Sequence, residues 1–382
     1  GKGYRAENGH PWIFDNEISE VIGEPMAGDL VQVYNYKNYF IGSGLYSPVS
    51  KIRVRIFSQK KIDTIDKKFF SERLFSCKNY REQLGFTENY RLAFGEGDFL
   101  PALVIDKFGG QYVVQTLSAA MDRWKQLITE VLIDEFGAIG VYERNDAPVR
   151  KLEGLDEVSG FLSKPYETSQ VINENGLKFH LDVAAGQKTG FFLDQKQNRI
   201  AIEPFVKKAE VLDAFCYNGS FSLHAAKFGA KAVTGIDISA DAITLAKKNA
   251  LLNGFENICQ FNEANAFDVL PQWVKEGKKF DTVILDPPAF TKSRNNIQAA
   301  AGGYREINLR GMKLVKPGGF LITFSCSHFI MPDMFYDIIY QSAIDAKRTV
   351  RVVSQLGQSF DHPIVMGVDE TNYLKGLILQ IN

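Results

Sequence analysis

The period of apolar positions changes twice along this 382-residue chain. From Leu30 to Ser58, short β-branched and aromatic runs are broken by Gly, Asn and Pro, which predicts three or four strands of a small β-barrel. Its last run, Lys51 to Ile56, alternates cation and apolar residue; Ile52, Val54 and Ile56 should face inward, and Arg53 and Arg55 outward. Between Ile62 and Leu84 the apolar spacing becomes three-to-four, predicting a connector helix through Phe69, Phe70, Leu74 and Cys77. The order strand, strand, helix, strand, strand then fits LPALVIDKF, QYVVQTLS, MDRWKQLITEVLIDEF, AIGVYERND and the pair ETSQVINENG and LKFHLDV. Beyond Val183, apolar strands alternate with helices at the rhythm of a doubly wound parallel sheet. Strands are predicted at 209–216, 232–238, 258–264, 280–286 and 318–325, helices near 220–229, 240–253, 304–315 and 331–347, with a late pair of strands at the end. The expected architecture is therefore a barrel over 1–60, a connector helix and central α+β domain over 61–182, and a Rossmann-like α/β domain over 183–382.

Composition narrows the class without naming a partner. At 45% hydrophobic and 23% charged the chain reads as globular, and no apolar run is long enough to span a bilayer. The first residues, GKGYRAENGHPWIF, lack an export pattern, so a cytoplasmic location is expected. Cys77, Cys216, Cys259 and Cys326 show no CxxC spacing, which argues against disulfides and against zinc or any other metal. The net charge is −1, and residues 1–58 hold six Lys/Arg and six Asp/Glu, so any phosphate-binding face must be a local cluster. Arg53 and Arg55 on the last barrel strand, and Arg144, Arg150 and Lys151 in the middle segment, are the candidates. His10 and Trp12 are as consistent with a structural role as with a ligand contact.

Chemistry gathers at the carboxyl ends of the predicted parallel strands. Ala209 to Gly219 is an apolar strand ending in Asp213 and a turn with a single Gly, followed by a helix; a helix N-terminus there favours an electron-rich ligand. One glycine instead of GxGxxG disfavours NAD. The next strand ends in Asp237, about where an acid accepts hydrogen bonds from both ribose hydroxyls. This ordered set resembles the methyl-donor site of class I methyltransferases. The resemblance implies S-adenosylmethionine as cofactor, with Asp213, Phe215, Asn218 and Gly219 lining its methionine end, Asp237 and Ile238 at the ribose, Asn265 at the adenine, where such enzymes usually carry Asp, and Asp286 also in contact with the donor. The fourth strand ends in Asp286-Pro287-Pro288, whose prolines stop the strand and fix Asp286, with Phe290 placed to stack on a base. The fifth ends in Ser325-Cys326-Ser327. Carbon 5 of a pyrimidine accepts a methyl group only after a thiolate adds to carbon 6, and Cys326, flanked by serines at a strand end, is the candidate nucleophile. The other three cysteines read as small buried hydrophobes.

Taken together, GHPWIFDNEI, the middle domain, AGQKTGFFLDQKQNR, DAFCYNG, DPPAF and SCS resemble the ribosomal RNA large-subunit cytosine-5 methyltransferase I family. The resemblance implies a PUA domain that grips RNA, a Rossmann-like class I methyltransferase that makes 5-methylcytosine, and Cys326 and Asp286 as catalytic residues. It also implies that Gln187, Lys188, Thr189, Phe191 and Gln195 lie near the donor or the RNA. The expected partner is ribosomal RNA; no membrane partner is expected, and a homodimer stays open. Two other readings also stay open: methyl transfer to a base nitrogen, which needs no thiol adduct, and a non-catalytic RNA-binding factor that kept the fold.

Overall fold

A computed structural model describes residues 4–186, 189–291 and 293–382. The chain divides into two compact units: residues 1–172, 181–193 and 360–371 form the first, and residues 173–180, 194–359 and 372–382 the second. Among the described residues, no helix is long and apolar enough to cross a membrane.

The first unit holds two sheets. β1 (Trp12–Phe14), β2 (Leu30–Tyr34), β3 (Phe40–Tyr46) and β4 (Ile52–Ser58) form an antiparallel sheet in the order β1-β4-β3-β2. A small core of Ala6, Ile13, Val54 and Ile56 packs beneath it. At Gly42 and Gly44 of β3 an added Cβ would come within 2.6 Å of Ile56 and 2.7 Å of the Arg55 carbonyl, so only glycine lets β3 run this close to β4. The second sheet comprises β5 (Asn89–Phe94), β6 (Leu103–Phe108), β7 (Gln111–Thr116), β8 (Gly140–Asn145) and β9 (Val158–Phe161), in that order. Only the β7–β8 pair is parallel, joined through the helix Lys125–Phe136; the other pairs are antiparallel. That helix contributes Ile128, Val131 and Leu132 to a core shared with Phe70, Leu74 and Cys77 of the connector helix Lys67–Gln83, which Asp66 caps by accepting from the Phe69 amide at 2.8 Å.

The outward display expected of Arg55 is overturned. Glu153 from the middle segment lies over it, taking Arg55 Nη2 at 2.7 Å and a hydrogen bond from Ser50, and Arg55 is buried. Alternation identifies the second face of a strand, and here another element covers that face. Arg81 is a second internal tie: fully buried, it forks onto Asp98 at 2.5 and 2.6 Å and donates to the carbonyls of Arg91 and Asp361, fastening residues 360–371 into the first unit.

The pair expected within the middle domain is instead a separate hairpin of β10 (Ser169–Glu174) and β11 (Leu177–Asp182). Its Asn175-Gly176 turn has both φ angles positive, the backbone an Asn-Gly primed turn requires.

In the second unit, β12 (Glu210–Ala214), β13 (Ala232–Asp237), β14 (Cys259–Glu263), β15 (Phe280–Leu285), β16 (Val315–Ser325), β17 (Val350–Gly357) and β18 (Lys375–Ile381) form one seven-stranded sheet. Their order is β14-β13-β12-β15-β16-β18-β17, parallel except for antiparallel β18 against both β16 and β17. The strands carry Leu212, Val283, Leu285, Leu321 and Leu379, all without solvent exposure, as expected where helices cover both faces. The helix Ile297–Leu314 starts seven residues before the expected point, and the helix Ala266–Lys275, with Pro271 inside it, was not expected at all.

The hairpin tip, 173–180, belongs to this unit. Glu174 forks with Arg199 at 2.6 and 3.0 Å, and both side chains are buried. Removing one partner leaves the other charge buried alone, so Glu174→Ala should lower unfolding stability by about 3–5 kcal/mol in urea titrations. A loss below about 1 kcal/mol would mean that water reaches the guanidinium.

Candidate active site

The sheet changes winding direction between β12 and β15. From β12 the order runs outward through β13 and β14, and from β15 through β16, so the crevice at their carboxyl ends is where an open α/β sheet binds its ligand. Two acids stand there. Asp213 is wholly buried; its Oδ2 accepts from the amide and hydroxyl of Ser222 at 2.9 and 2.6 Å, which pins the helix Ser220–Lys227 to the strand. Its Oδ1 is buried with no hydrogen-bond partner among the described residues. Burial pushes the Asp213 carboxyl up to about 7, opposed by the two bonds from Ser222 and reinforced by the charge of Asp237.

The turn that follows is strained where a ligand would approach. Phe215 and Tyr217 both hold left-handed backbone, at φ 66° and 48°, and Gly219 sits at φ 80°. Asp237, at the end of β13, accepts from the Tyr217 amide and the Ser239 amide at 2.9 Å each, so its carboxylate braces this turn. A Cβ on Gly219 would meet Phe261 at 3.0 Å, which keeps that position to glycine on steric grounds as well. Asn218 is buried, with its Oδ1 accepting from Ser220 and its carbonyl from Asn249. Ile238, 69% exposed, offers an apolar surface beside Asp237. Asn265 caps the helix Ala266–Lys275 through Oδ1, which accepts from the Phe267 amide at 3.1 Å.

These residues fit S-adenosylmethionine. An unpartnered buried carboxyl oxygen, a glycine-limited turn at a helix start, a braced acid at the second strand end and an exposed apolar side chain beside it supply the polar and apolar contacts that a charged nucleoside requires.

Across the switch point, Asp286 directly follows β15, and its amide approaches the Ala214 carbonyl at 3.5 Å. Gln195 Nε2 donates to its Oδ1 at 2.9 Å. Removal from water pushes the Asp286 carboxyl up to about 7, Asp194 and Asp213 adding to the rise while Arg199 and the Gln195 bond oppose it. Next door, the Cys326 thiol donates to the Pro287 carbonyl at 3.8 Å, which joins the two motifs at the sheet edge. Cys326 is half-buried, whereas Cys77, Cys216 and Cys259 are buried and burial pushes all three thiols upward, Cys259 to about 12. Phe290 packs against Tyr304 at 4.5 Å between ring centroids and against Phe267 at 5.6 Å, so it is part of a wall and only partly buried. The Tyr304 hydroxyl lies 2.9 Å from Ser327 Oγ.

Of the proposed phosphate contacts, Arg55, Arg144 and Arg150 need correction together. Arg144 forks onto Asp146 and donates to the carbonyls of Val183 and Gly186 at 3.0 and 2.7 Å; Arg150 pairs with Asp122 at 2.9 Å and donates to the Thr116 and Asp156 carbonyls. All three are under 10% exposed, and their donors serve internal acceptors. Arg53 is half-buried, with one bond to the Ser47 carbonyl. Lys188 and Gln187 lie outside the described residues. Trp12 and His10 have internal partners, Trp12 donating to Glu96 and His10 pairing with Glu370.

Three residues of the crevice were missed. Asp194 accepts from the Tyr373 hydroxyl at 2.5 Å, and Lys375 Nζ donates to the Ser327 and Tyr373 carbonyls at 2.8 Å each. A lone lysine in the largely apolar run YLKGLILQI was the available signal for Lys375.

Comparisons with known proteins bear on family and fold. Residues 151–380 match the model of the S-adenosylmethionine-dependent methyltransferase family, and residues 1–59 match that of the PUA-like domain. A ribosomal RNA large subunit methyltransferase I of Shewanella frigidimarina is 41% identical over the whole of this chain and 98% of its own length. Its namesake from Alteromonas mediterranea is 39% identical over 97% of this chain and 95% of its own. Among solved structures, a methyltransferase complexed with SAH aligns over 99% of this chain and 97% of that one, with TM-score 0.85 and 20% identity, a likeness of fold. A SAM-dependent methyltransferase from Streptococcus mutans aligns over the same shares with TM-score 0.84. With a family model over more than half its length and full-length relatives at about two-fifths identity, the chain belongs to the S-adenosylmethionine-dependent methyltransferases, in the ribosomal RNA large subunit methyltransferase I family.

Proposed function

We propose that this enzyme methylates carbon 5 of a cytosine in large-subunit ribosomal RNA, with Cys326 as the nucleophile. The observation that carries the reading is the thiol's position. Of four cysteines, the one that is not fully buried stands at the carboxyl edge of the sheet, against the Pro287 carbonyl and one residue from Asp286 in that motif. Methyl transfer to a nitrogen gives such a thiol no task.

S-adenosylmethionine supplies the electrophilic methyl group when bound, and Asp213, Phe215, Asn218, Gly219, Asp237, Ile238 and Asn265 are the residues proposed to hold it. Cys326 Sγ forms a bond to carbon 6 of the cytosine, and the ring's electron pair shifts so that carbon 5 becomes nucleophilic. Asp286, held toward its neutral form by its surroundings, donates a hydrogen bond to ring nitrogen 3 and so stabilises the negative charge developing on the ring. Gln195 keeps that carboxyl oriented through its other oxygen. After transfer, the proton on carbon 5 leaves to a base or water and the sulfur–carbon bond breaks, with the electron pair returning to sulfur. In related two-cysteine enzymes a second thiol follows the Pro-Pro pair; here that residue is Ala289, so Cys326 works alone. Phe290, beside the prolines, is proposed to flank the base, and Arg53 and Lys188 to contact phosphate.

Three outcomes follow. Cys326→Ala should abolish methylation yet still bind donor, and RNA bearing 5-fluorocytosine should form a denaturation-resistant adduct with the unaltered enzyme but not with the variant; turnover by Cys326→Ala would refute the covalent route. Asp237→Ala should weaken donor binding by about 1.5–3 kcal/mol in calorimetry, since it removes a charged acceptor; unchanged affinity removes Asp237 from the donor site. Because the Asp286 carboxyl is raised to about 7, its donating form is present below that pH and lost above it. The single-turnover rate should therefore carry a descending limb near pH 7 that Asp286→Asn, whose amide donates at any pH, eliminates. A limb that survives in Asp286→Asn belongs to another group.

A further inference from the structure

We propose that Lys375 is the cation that holds Cys326 as a thiolate, a positioning residue for the nucleophile. This inference rests on the reading of Cys326 as the attacking group and adds what makes it reactive.

Lys375 opens β18 and is in register with Ser325, the last residue of β16 and the neighbour of Cys326. Its side chain runs along the segment that carries the thiol: Nζ donates to the carbonyl of Ser327, the residue after Cys326, at 2.8 Å, and to the carbonyl of Tyr373 at 2.8 Å. Only 7% of the residue is exposed. Among the described residues no carboxylate lies within ion-pairing distance of this ammonium, in contrast to the buried Arg55, Arg81 and Arg199, each of which faces Asp or Glu. A buried cation held by two carbonyl dipoles alone is costly, and a negative partner relieves that cost. Among the described residues, the titratable group whose charge acts on Lys375 is Cys326.

Three other groups stand near the thiol among the described residues, and each plays a different part. Tyr304, from the helix Ile297–Leu314, is neutral, and burial pushes its hydroxyl further up. Asp286 precedes the Pro287 carbonyl that the thiol touches and repels a thiolate when ionised. His328 follows on the thiol's own segment and stacks edge-on against Phe329. Burial lowers the Lys375 ammonium and the Cys326 charge opposes part of that fall, leaving it at about 8, so each charge stabilises the other. When Cys326 ionises, its proton goes to solvent and the ammonium stays protonated; a neutral thiol is thereby replaced by an ion pair ready to add to carbon 6.

The test reads the thiol itself. The rate of Cys326 alkylation by iodoacetamide, followed by peptide mass spectrometry across pH in the absence of RNA, gives its titration midpoint. Lys375→Met should raise that midpoint by about 1–3 pH units, and Lys375→Arg, which keeps the charge, should leave it near that of the unaltered enzyme. Two results overturn the proposal: a Lys375→Met protein that binds S-adenosylmethionine normally with an unshifted midpoint, or an Arg variant shifted as far as the Met variant. If the Met variant does not fold, the reciprocal measurement decides: in Cys326→Ser the midpoint of Lys375, followed by NMR of lysine-labelled protein, should fall, and an unchanged midpoint overturns the pairing. The alkylation midpoint does not depend on methyl transfer. A failure of the nucleophile reading, seen as turnover by Cys326→Ala, is therefore distinguishable from a failure of the lysine–thiol pairing.

Discussion

One carboxyl oxygen, Oδ2 of Asp213, ties β12 to the helix that follows it, and the donor half of the crevice depends on that tie. By taking both the amide and the hydroxyl of Ser222, it satisfies a helix-start donor that would otherwise point into a buried space. With strand and helix joined, the intervening turn must close in few residues, and Phe215 and Tyr217 accept left-handed backbone to do so. Asp237 then holds the Tyr217 amide from the next strand. The strain is therefore over-determined by two acids from neighbouring strands, which is the condition under which such backbone persists at a ligand site.

The catalytic sheet was readable from sequence because parallel strands covered on both faces need near-continuous apolar runs, which β12, β15 and the second half of β16 supply, while the edge strand β14 shows it least. β5 and β9 were not, since Asn89–Phe94 interrupts its apolar residues with Arg91 and β9 is four residues of an edge strand, mostly exposed. Helix Ala266–Lys275 was hidden by Pro271, whose usual meaning is a break. The acids and glycine of the crevice could be read because strand order brings strand ends together and each chemistry-bearing residue stands at such an end. Asp194 and Tyr373 could not, and Lys375 left only the signal of a lone cation in a largely apolar run. They reach the crevice from segments distant in sequence, and only tertiary packing brings them there.

The same limit explains the arginines. A sequence marks a cation on the polar face of a strand but does not say whether another element covers that face. Arg55, Arg144 and Arg150 are covered, and each is used as an internal fastener with forked or multiple donors. In a chain of net charge −1, cations spent internally leave fewer for phosphate.

The two halves of the crevice place opposite electrostatic demands on one small volume. On the proposed route, addition of sulfur to carbon 6 needs an anion at Cys326, while charge appearing on the pyrimidine needs a proton donor at Asp286. Were Asp286 ionised, it would repel both the thiolate and the ring that is gaining charge. The fold separates the demands by strand. β15 ends in a carboxyl kept toward neutrality by desolvation and by Asp194 and Asp213, and β16 ends in a thiol whose neighbouring strand, β18, brings in a lysine. The antiparallel insertion of β18 beside β16 makes this possible, because it brings the start of one strand to the carboxyl edge where all the others end. A parallel strand in that place would present its last residue there, and the lysine that opens β18 would stand at the opposite edge of the sheet.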